Sequence, residues 1–388
     1  MSVWVFDFFA YQKSQFSFLL GLRKMEEFEF GFFFNSYATG GAEKVQLEIV
    51  RSVSDKKTAV FFTNLCINEH YKSDFEACSI VHTIYLAIRK RDFYYSFILK
   101  NLAKRMNAMK HPKIVGCDCQ FFYDLLPYLE PHVTVIDLFH TLVHSFEKGP
   151  EHWSLNRVER IQKRIVISYK LRKDFEMFYL KNGVKLSLLD RISTIHNFVD
   201  LPLSLAPIQN FSNKPIALFI CRNHFVKRIH LAGKIAHRLR EYLQFVFIGE
   251  NLEREVEPEY RSEILFLGNI SNAAELAKWY QQADFLMMTS SREGLPMVLL
   301  EGMSYGTIPL TTDVGAISEI IPTSELGVLI SNSADENEII ENFVGSFKNL
   351  LEQPEKISDM KQNVNKFVTQ NFSKESFIQA YRKALIQA

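Results

Sequence analysis

Two cations and two carboxylates in the second half of the chain have the types and spacing to hold a diphosphate and its neighbouring hydroxyls. Arg222 and Lys227 stand in Cys221-Arg222-Asn223-His224-Phe225-Val226-Lys227-Arg228, directly after an apolar run. A planar guanidinium fork and a compact ammonium beyond a strand end suit the two flanks of a diphosphate, although surface helices carry the same charges. Glu293 and Glu301 bracket Gly294-Leu295-Pro296-Met297. Glu293 falls in a loop before a helix with Pro296 near its first position, where free backbone N–H groups can hold phosphate. The carboxylates could accept hydrogen bonds from vicinal hydroxyls. Equally, Glu293 could simply offset the helix dipole, with Glu301 an ordinary surface residue.

The first half offers a weaker set. Asn35-Ser36-Tyr37-Ala38-Thr39-Gly40-Gly41-Ala42-Glu43 is a loop in which Gly40 and Gly41 would let a ligand approach the backbone. It matches neither the dinucleotide fingerprint nor the P-loop. His140 follows Asp137 at the end of another expected strand; a lone His there is as readily a packed or solvated residue.

The elements that must position these residues alternate between strand and helix. The reading places strands at Phe28–Phe34, Thr58–Thr63, Ser79–Leu86, Lys113–Gly116, Val133–Asp137, Arg164–Ser168 and Arg191–Ile195, with helices between. Leu201–Pro215, with its prolines and polar residues, breaks the pattern. The alternation then restarts at Ile216–Cys221. It continues through helix Val226–Leu243, strand Phe245–Gly249, strand Ile264–Leu267, helix Ala273–Gln282, strand Phe285–Thr289 and helix Met297–Tyr305, ending near Ile330. This is an α/β chain of two units with mostly parallel sheets, whose ligands belong in the loops after the strands.

The bulk properties exclude more than they assert. With 388 residues, two domains are expected. Formal charge is +1, from 45 basic and 44 acidic residues, so no global field gathers nucleic acid. Five scattered cysteines suit a reducing compartment better than a disulfide scaffold. No apolar window is long enough for a spanning helix, and Met1–Met25 lacks a secretory pattern, so a cytoplasmic protein is expected. Arg89–Lys113, rich in bases and aromatics, reads as a solvated helix with an apolar underside or as a surface for a membrane or an acceptor.

Taken together, these residues resemble the GT-B glycosyltransferases, specifically the large retaining group called family 4. Phe266–Ile330 carries most of the likeness: Phe266-Leu267-Gly268, Ala283-Asp284, the Glu293-to-Glu301 spacing of the E-x7-E signature, and Asp313-Val314-Gly315-Ala316. Gly40-Gly41-Ala42-Glu43-Lys44, Ile167-Ser168 and Ile195-His196-Asn197 support it. The chain departs from the pattern after Gly249, where Glu250-Asn251-Leu252 stands in place of a second glycine, and before Met25.

The resemblance implies a GT-B architecture, two Rossmann-like domains facing a central cleft. Its boundaries are an extension at 1–27, an acceptor-side domain at 28–205, a nucleotide-sugar domain at 206–370 and a helix at 371–388 returning to the first domain. It implies a retaining glycosyltransferase that moves a sugar from a nucleotide-diphosphate sugar, UDP favoured over GDP, to a glycan, lipid-linked or other hydroxyl acceptor. No cofactor or catalytic metal is implied. Arg222 and Lys227 would contact the diphosphate, Glu301 the ribose, Glu293 with the backbone of Gly294, Leu295, Pro296 and Met297 the transferred sugar. Gly268 and Ile270 would face the base, Gly40 and Gly41 the reacting centre, and His140 the sugar. A nucleotide-sugar epimerase, a sugar phosphorylase and a non-catalytic glycosyltransferase-like partner are the alternatives. Peripheral contact with the inner face of the cell membrane is compatible with the reading, nucleic acid is not a partner, and oligomeric state is open.

Overall fold

A computed structural model describes residues 18–388 apart from 23, 39, 67, 85–92, 143–148 and 201–212. Most of the N-terminal extension, the linker and the start of the basic, aromatic segment therefore lie outside the described residues. The chain forms two units. One contains the described residues up to Ile167, together with Leu171–Ile195 and Phe377–Ala388; the other contains Ser168–Lys170 and the described part of His196–Ser376.

The first unit is built on a seven-stranded sheet. Its strands are β1 (Phe30–Phe34), β2 (Thr58–Phe62), β3 (Ile80–Thr83), β4 (Lys113–Cys117), β5 (Thr134–Phe139), β6 (Lys163–Val166) and β7 (Ile192–Thr194). They are all parallel, in the order β3-β2-β1-β4-β5-β6-β7. Its helices are α1 (Gly41–Arg51), α2 (Lys72–Glu76), α3 (Phe93–Asn107), α4 (Gln120–Leu125), α5 (Pro150–Leu155) and α6 (Tyr169–Lys181), whose first two residues fall in the other unit.

The phenylalanine-rich strands make the core. Phe33 stacks on Phe61 at 4.8 Å between ring centroids, Phe62 meets Phe75 edge-on at 5.1 Å, and all four rings are buried. Such aromatic pairs add to their area burial. α3 has the apolar underside its sequence suggests: Ile98, Leu99, Leu102, Ala103 and Met106 are buried. Its outer face shows Tyr94, Phe97, Lys100 and Lys104.

A charged cluster lies inside this core. The register of β5 and β6 sets Asp137 opposite Arg164. Arg164 Nη2 donates to Asp137 Oδ2 at 2.6 Å, Nε to Oδ1 at 3.0 Å and Nη1 to Tyr179 Oη at 2.8 Å, while Tyr123 donates to Asp137 at 3.3 Å. The guanidinium lies over Phe139 and Phe175, 4.8 and 4.5 Å from their centroids. Despite burial, the Asp137 carboxylate holds the Arg164 pKa above its ordinary value.

The second unit carries a six-stranded parallel sheet, ordered β10-β9-β8-β11-β12-β13. Its strands are β8 (Ile216–Ile220), β9 (Gln244–Ile248), β10 (Ile264–Phe266), β11 (Phe285–Met288), β12 (Ile308–Thr312) and β13 (Val328–Ile330). Around it lie α7 (Ile229–Leu239), α8 (Ala273–Gln282), α9 (Met297–Ser304), α10 (Ile317–Ile320), α11 (Glu336–Leu351) and α12 (Pro354–Asn371). The last helix, α13 (Lys374–Ile386), has Phe377 onward in the first unit, where Lys113 Nζ donates to Leu385 O at 3.0 Å and Arg382 pairs with Asp55. Among the described residues no helix is long and apolar enough to cross a membrane.

The helix expected over Val226–Leu243 is shorter. A tight turn at Phe225–Lys227 precedes it, and Arg228 separates the two with left-handed φ 47° and ψ 52°. Periodicity is blind to such a break, because what holds Arg228 comes from the loop after β11.

Candidate functional site

β8 and β11 are neighbours, so the loops after them emerge side by side at the C-terminal edge of the sheet. Several bonds lace these loops together. Arg228 Nε donates to Thr289 O at 2.7 Å and Nη2 to Ser290 O at 2.9 Å. Thr289 Oγ1 donates to Lys227 O at 2.8 Å, and Ser291 N to Val226 O at 2.7 Å. Thr312, at the end of β12, adds its hydroxyl to Ser290 O at 2.5 Å. Thr289, Ser290 and Thr312 are fully buried, which makes these bonds costly to lose.

The network delivers Lys227 to Glu293, with Nζ 2.5 Å from Oε1. Their side chains are 21% and 10% exposed, so Lys227 is far more shielded than a solvated helix charge. Arg222 stays exposed at the start of the same loop and does not share this pair. Glu293 is held from behind. Gly315 has φ +62°, and a Cβ there would lie 2.1 Å from Glu293 O, so the loop after β12 passes directly against the Glu293 backbone. Ala316 N donates to Gly294 O at 3.0 Å, and Asn197 Nδ2 to Leu295 O at 3.5 Å.

α9 begins at Met297, with Pro296 at its N-cap, one position earlier than the expected place inside the helix. Proline has no side-chain acceptor, and no side chain caps this helix. The N–H groups of Met297 and Val298 are therefore left without a side-chain cap beside Gly294 and Leu295, an arrangement suited to an anion. Glu301 is only just past one turn into α9. It is half-buried and accepts a 3.1 Å bond from Tyr280 Oη, whose ring stacks on Tyr305. Burial and the Glu301 charge push the Tyr280 pKa well up, so the phenol stays a donor.

Gly268 and Ile270 lie in the loop after β10. Gly268 O accepts from Gly249 N at 2.8 Å, and a Cβ on Gly249 would meet Cys221 O at 2.0 Å, so these strand-end loops also close on one another. The second unit thus gathers Arg222, Lys227, Gly268, Ile270, Glu293, Gly294, Leu295, Pro296, Met297 and Glu301 along one sheet edge.

Gly40, Gly41 and His140 belong to the first unit, again beyond strand ends. Gly40 precedes α1 in extended backbone, and Lys44 N donates to its carbonyl at 3.1 Å. Burial lowers the His140 pKa to about 4, so its imidazole is neutral at pH 7, and its Nε2 is buried without a partner. Asp118, after β4, was not singled out by sequence. Burial, with Glu151 and Asp137 adding repulsion, raises its pKa to about 7. Its φ of 49° and the 3.0 Å bond from Asn35 Nδ2 to its carbonyl fix it beside the end of β1. The sequence gives no signal for Arg228 either: adjacent to Lys227, it reads as one more surface base.

Comparison with known proteins adds a likeness over part of the chain. Residues 204–367 match the family model described as glycosyl transferases group 1. A glycogen synthase from Thermodesulfovibrio yellowstonii is 29% identical over 191 residues, covering 46% of this chain and 37% of that protein. The O-antigen biosynthesis glycosyltransferase WbnH of Escherichia coli is 30% identical over 159 residues, covering 40% of this chain and 44% of that one. The chain thus spans less than half the length of these curated relatives. Anabaena HepE, solved with UDP and glucose, superposes with a TM-score of 0.72 at 14% identity, covering 93% of this chain and all (100%) of that one. The galactosyltransferase WaaB superposes at 0.68 with 17% identity, covering 92% and 99%. Residues 204–367 of this chain are therefore similar to glycosyl transferases group 1, and its two Rossmann-like units have the GT-B fold.

Proposed function

We propose that the protein is a retaining, family 4 glycosyltransferase that moves a sugar from a UDP-sugar to a hydroxyl of a glycan or lipid-linked acceptor at the cytoplasmic face of a membrane. The observation that carries this reading is the Lys227–Glu293 pair, fixed by interlocked loops at the C-terminal edge of a parallel sheet, beside an uncapped helix start. UDP is favoured because HepE was solved with it, and a glycan acceptor because WbnH is named for O-antigen biosynthesis.

In this reading the bond from the sugar's anomeric carbon to the β-phosphate oxygen breaks, and one to the acceptor oxygen forms on the same face. The acceptor's proton passes to the departing phosphate. Arg222, Lys227 and the N–H groups of α9 stabilise the charge that grows on the diphosphate, taking the place of a metal ion. Glu301 holds the ribose, with Tyr280 fixing its carboxylate. Glu293 holds the sugar. A retaining glycosidase needs a carboxylate nucleophile; this scheme does not.

The test is a thermal-shift series with UDP, GDP and their sugars, followed by transfer with the stabilising donor. UDP and a UDP-sugar are expected to raise the melting temperature, and E301Q to weaken both effects. Stabilisation by GDP alone would overturn the donor, and donor epimerised without transfer would overturn the reaction.

Gly315 gives a sharper check of geometry. G315A introduces left-handed strain of about 1–2 kcal/mol and a contact that only backbone movement relieves. The variant is expected to fold while transfer falls about tenfold to 100-fold, because Glu293 is displaced. Wild-type transfer by G315A would show that the position of Glu293 is unimportant.

A further inference from the structure

The segments leading into β5, β6 and β7 line an open cavity of about 540 Å³ at the surface of the first unit. The strands are parallel, so this is the sheet edge opposite the one bearing Gly40, Gly41 and His140. Leu129, Val158, Val184 and Leu188 give it an apolar wall, and Arg157, Arg160 and Lys185 supply three cations against one carboxylate, Glu159. Its size is that of a small-molecule pocket.

Arg160 is the informative residue. Nη2 donates to Glu130 O and Val133 O, each at 2.7 Å, which fixes the guanidinium. Nε and Nη1 are buried and have no acceptor. Neighbouring carboxylates are engaged elsewhere: Glu159 with Lys185 at 2.9 Å, and Glu130 with His132 at 3.6 Å. Burial without a counter-charge lowers the Arg160 pKa. A partly buried cation with unmet donors is unfavourable until an anion joins it.

We propose that this cavity binds a small amphiphilic oxyanion, a carboxylate or phosphate monoester on a short apolar body. The head meets Arg160, with Arg157 at the mouth, and the body lies against Leu129, Val184 and Leu188. The inference stands apart from the sugar-transfer reading, since it uses the other edge of the sheet.

Calorimetry on the full chain tests it, with octyl phosphate below its micelle concentration, and with inorganic phosphate and octyltrimethylammonium as comparison probes. Octyl phosphate is expected to bind at one site, and the other two about tenfold more weakly or worse. V184W, which fills the cavity and keeps every cation, is expected to abolish binding; R160Q is expected to weaken it about tenfold or more. Because R160Q also loses two carbonyl bonds, V184W with an unchanged circular dichroism spectrum is the deciding variant. Absent binding, equal binding of the cationic probe, or binding that survives V184W, as at the diphosphate loops, would overturn the proposal.

Discussion

K227A is expected to transfer sugar on the order of 100-fold more slowly than the wild type in single turnovers at saturating donor. Lys227 is the cation that the tertiary structure has pre-positioned beside Glu293, and in the proposed reaction its charge matters most when the diphosphate departs. The same variant strands Glu293, which is only 10% exposed, beside an empty position, so a modest loss of stability should accompany the loss of rate. E293Q separates the two roles. Without its carboxylate, Lys227 is released from a 2.5 Å partner, so UDP should bind as well as before or more tightly. Transfer should still fall, because the sugar loses its acceptor group. R222A, by contrast, removes an exposed residue, and should reduce donor affinity and rate with no change in the melting temperature of the unliganded protein. Near-normal transfer by both K227A and R222A, with folding verified by circular dichroism, would return these residues to the status of surface charges.

R164M should be the most destabilising single substitution in the first unit. It leaves Asp137, fully buried, with the Tyr123 hydroxyl as its remaining side-chain donor among the described residues. Removing one member of a buried ion pair typically costs about 3–5 kcal/mol, because the remaining charge is desolvated and uncompensated. Urea denaturation followed by far-ultraviolet circular dichroism should show an earlier transition for R164M. The double variant D137L/R164M should recover part of the loss, since no charge is left behind. Recovery should stay incomplete, because Tyr123 and Tyr179 each lose a hydrogen-bond partner. An R164M protein as stable as the wild type would mean that the pair contributes nothing beyond apolar packing.

Much of the architecture was legible because it is written in local periodicity. Short apolar runs ended by Asn, Ser or Gly, alternating with helical patterns, gave strands such as β2 and β9, whose limits shift by only a residue, while β3 ends at Thr83, short of the expected Leu86. Loop residues such as Glu293 and Arg222 could be placed beyond strand ends for the same reason. Where the local signal misled, the cause was a distant bond. Arg228 breaks the expected helix because its guanidinium reaches the carbonyls of Thr289 and Ser290.

By itself, then, the sequence determined an α/β chain of two units, the strand-end loops that carry the candidate site, and the residue types they offer. Tertiary structure decided which of those residues meet. Lys227 and Glu293 come together because β8 lies next to β11, although other elements separate them along the chain. Asp137 faces Arg164 only through the register of β5 with β6, and the orphaned donors of Arg160 exist only where three strand-entry segments converge. Periodicity fixes which face of an element is apolar, but strand order and register fix neighbours, and the energy of a buried charge depends on its neighbours.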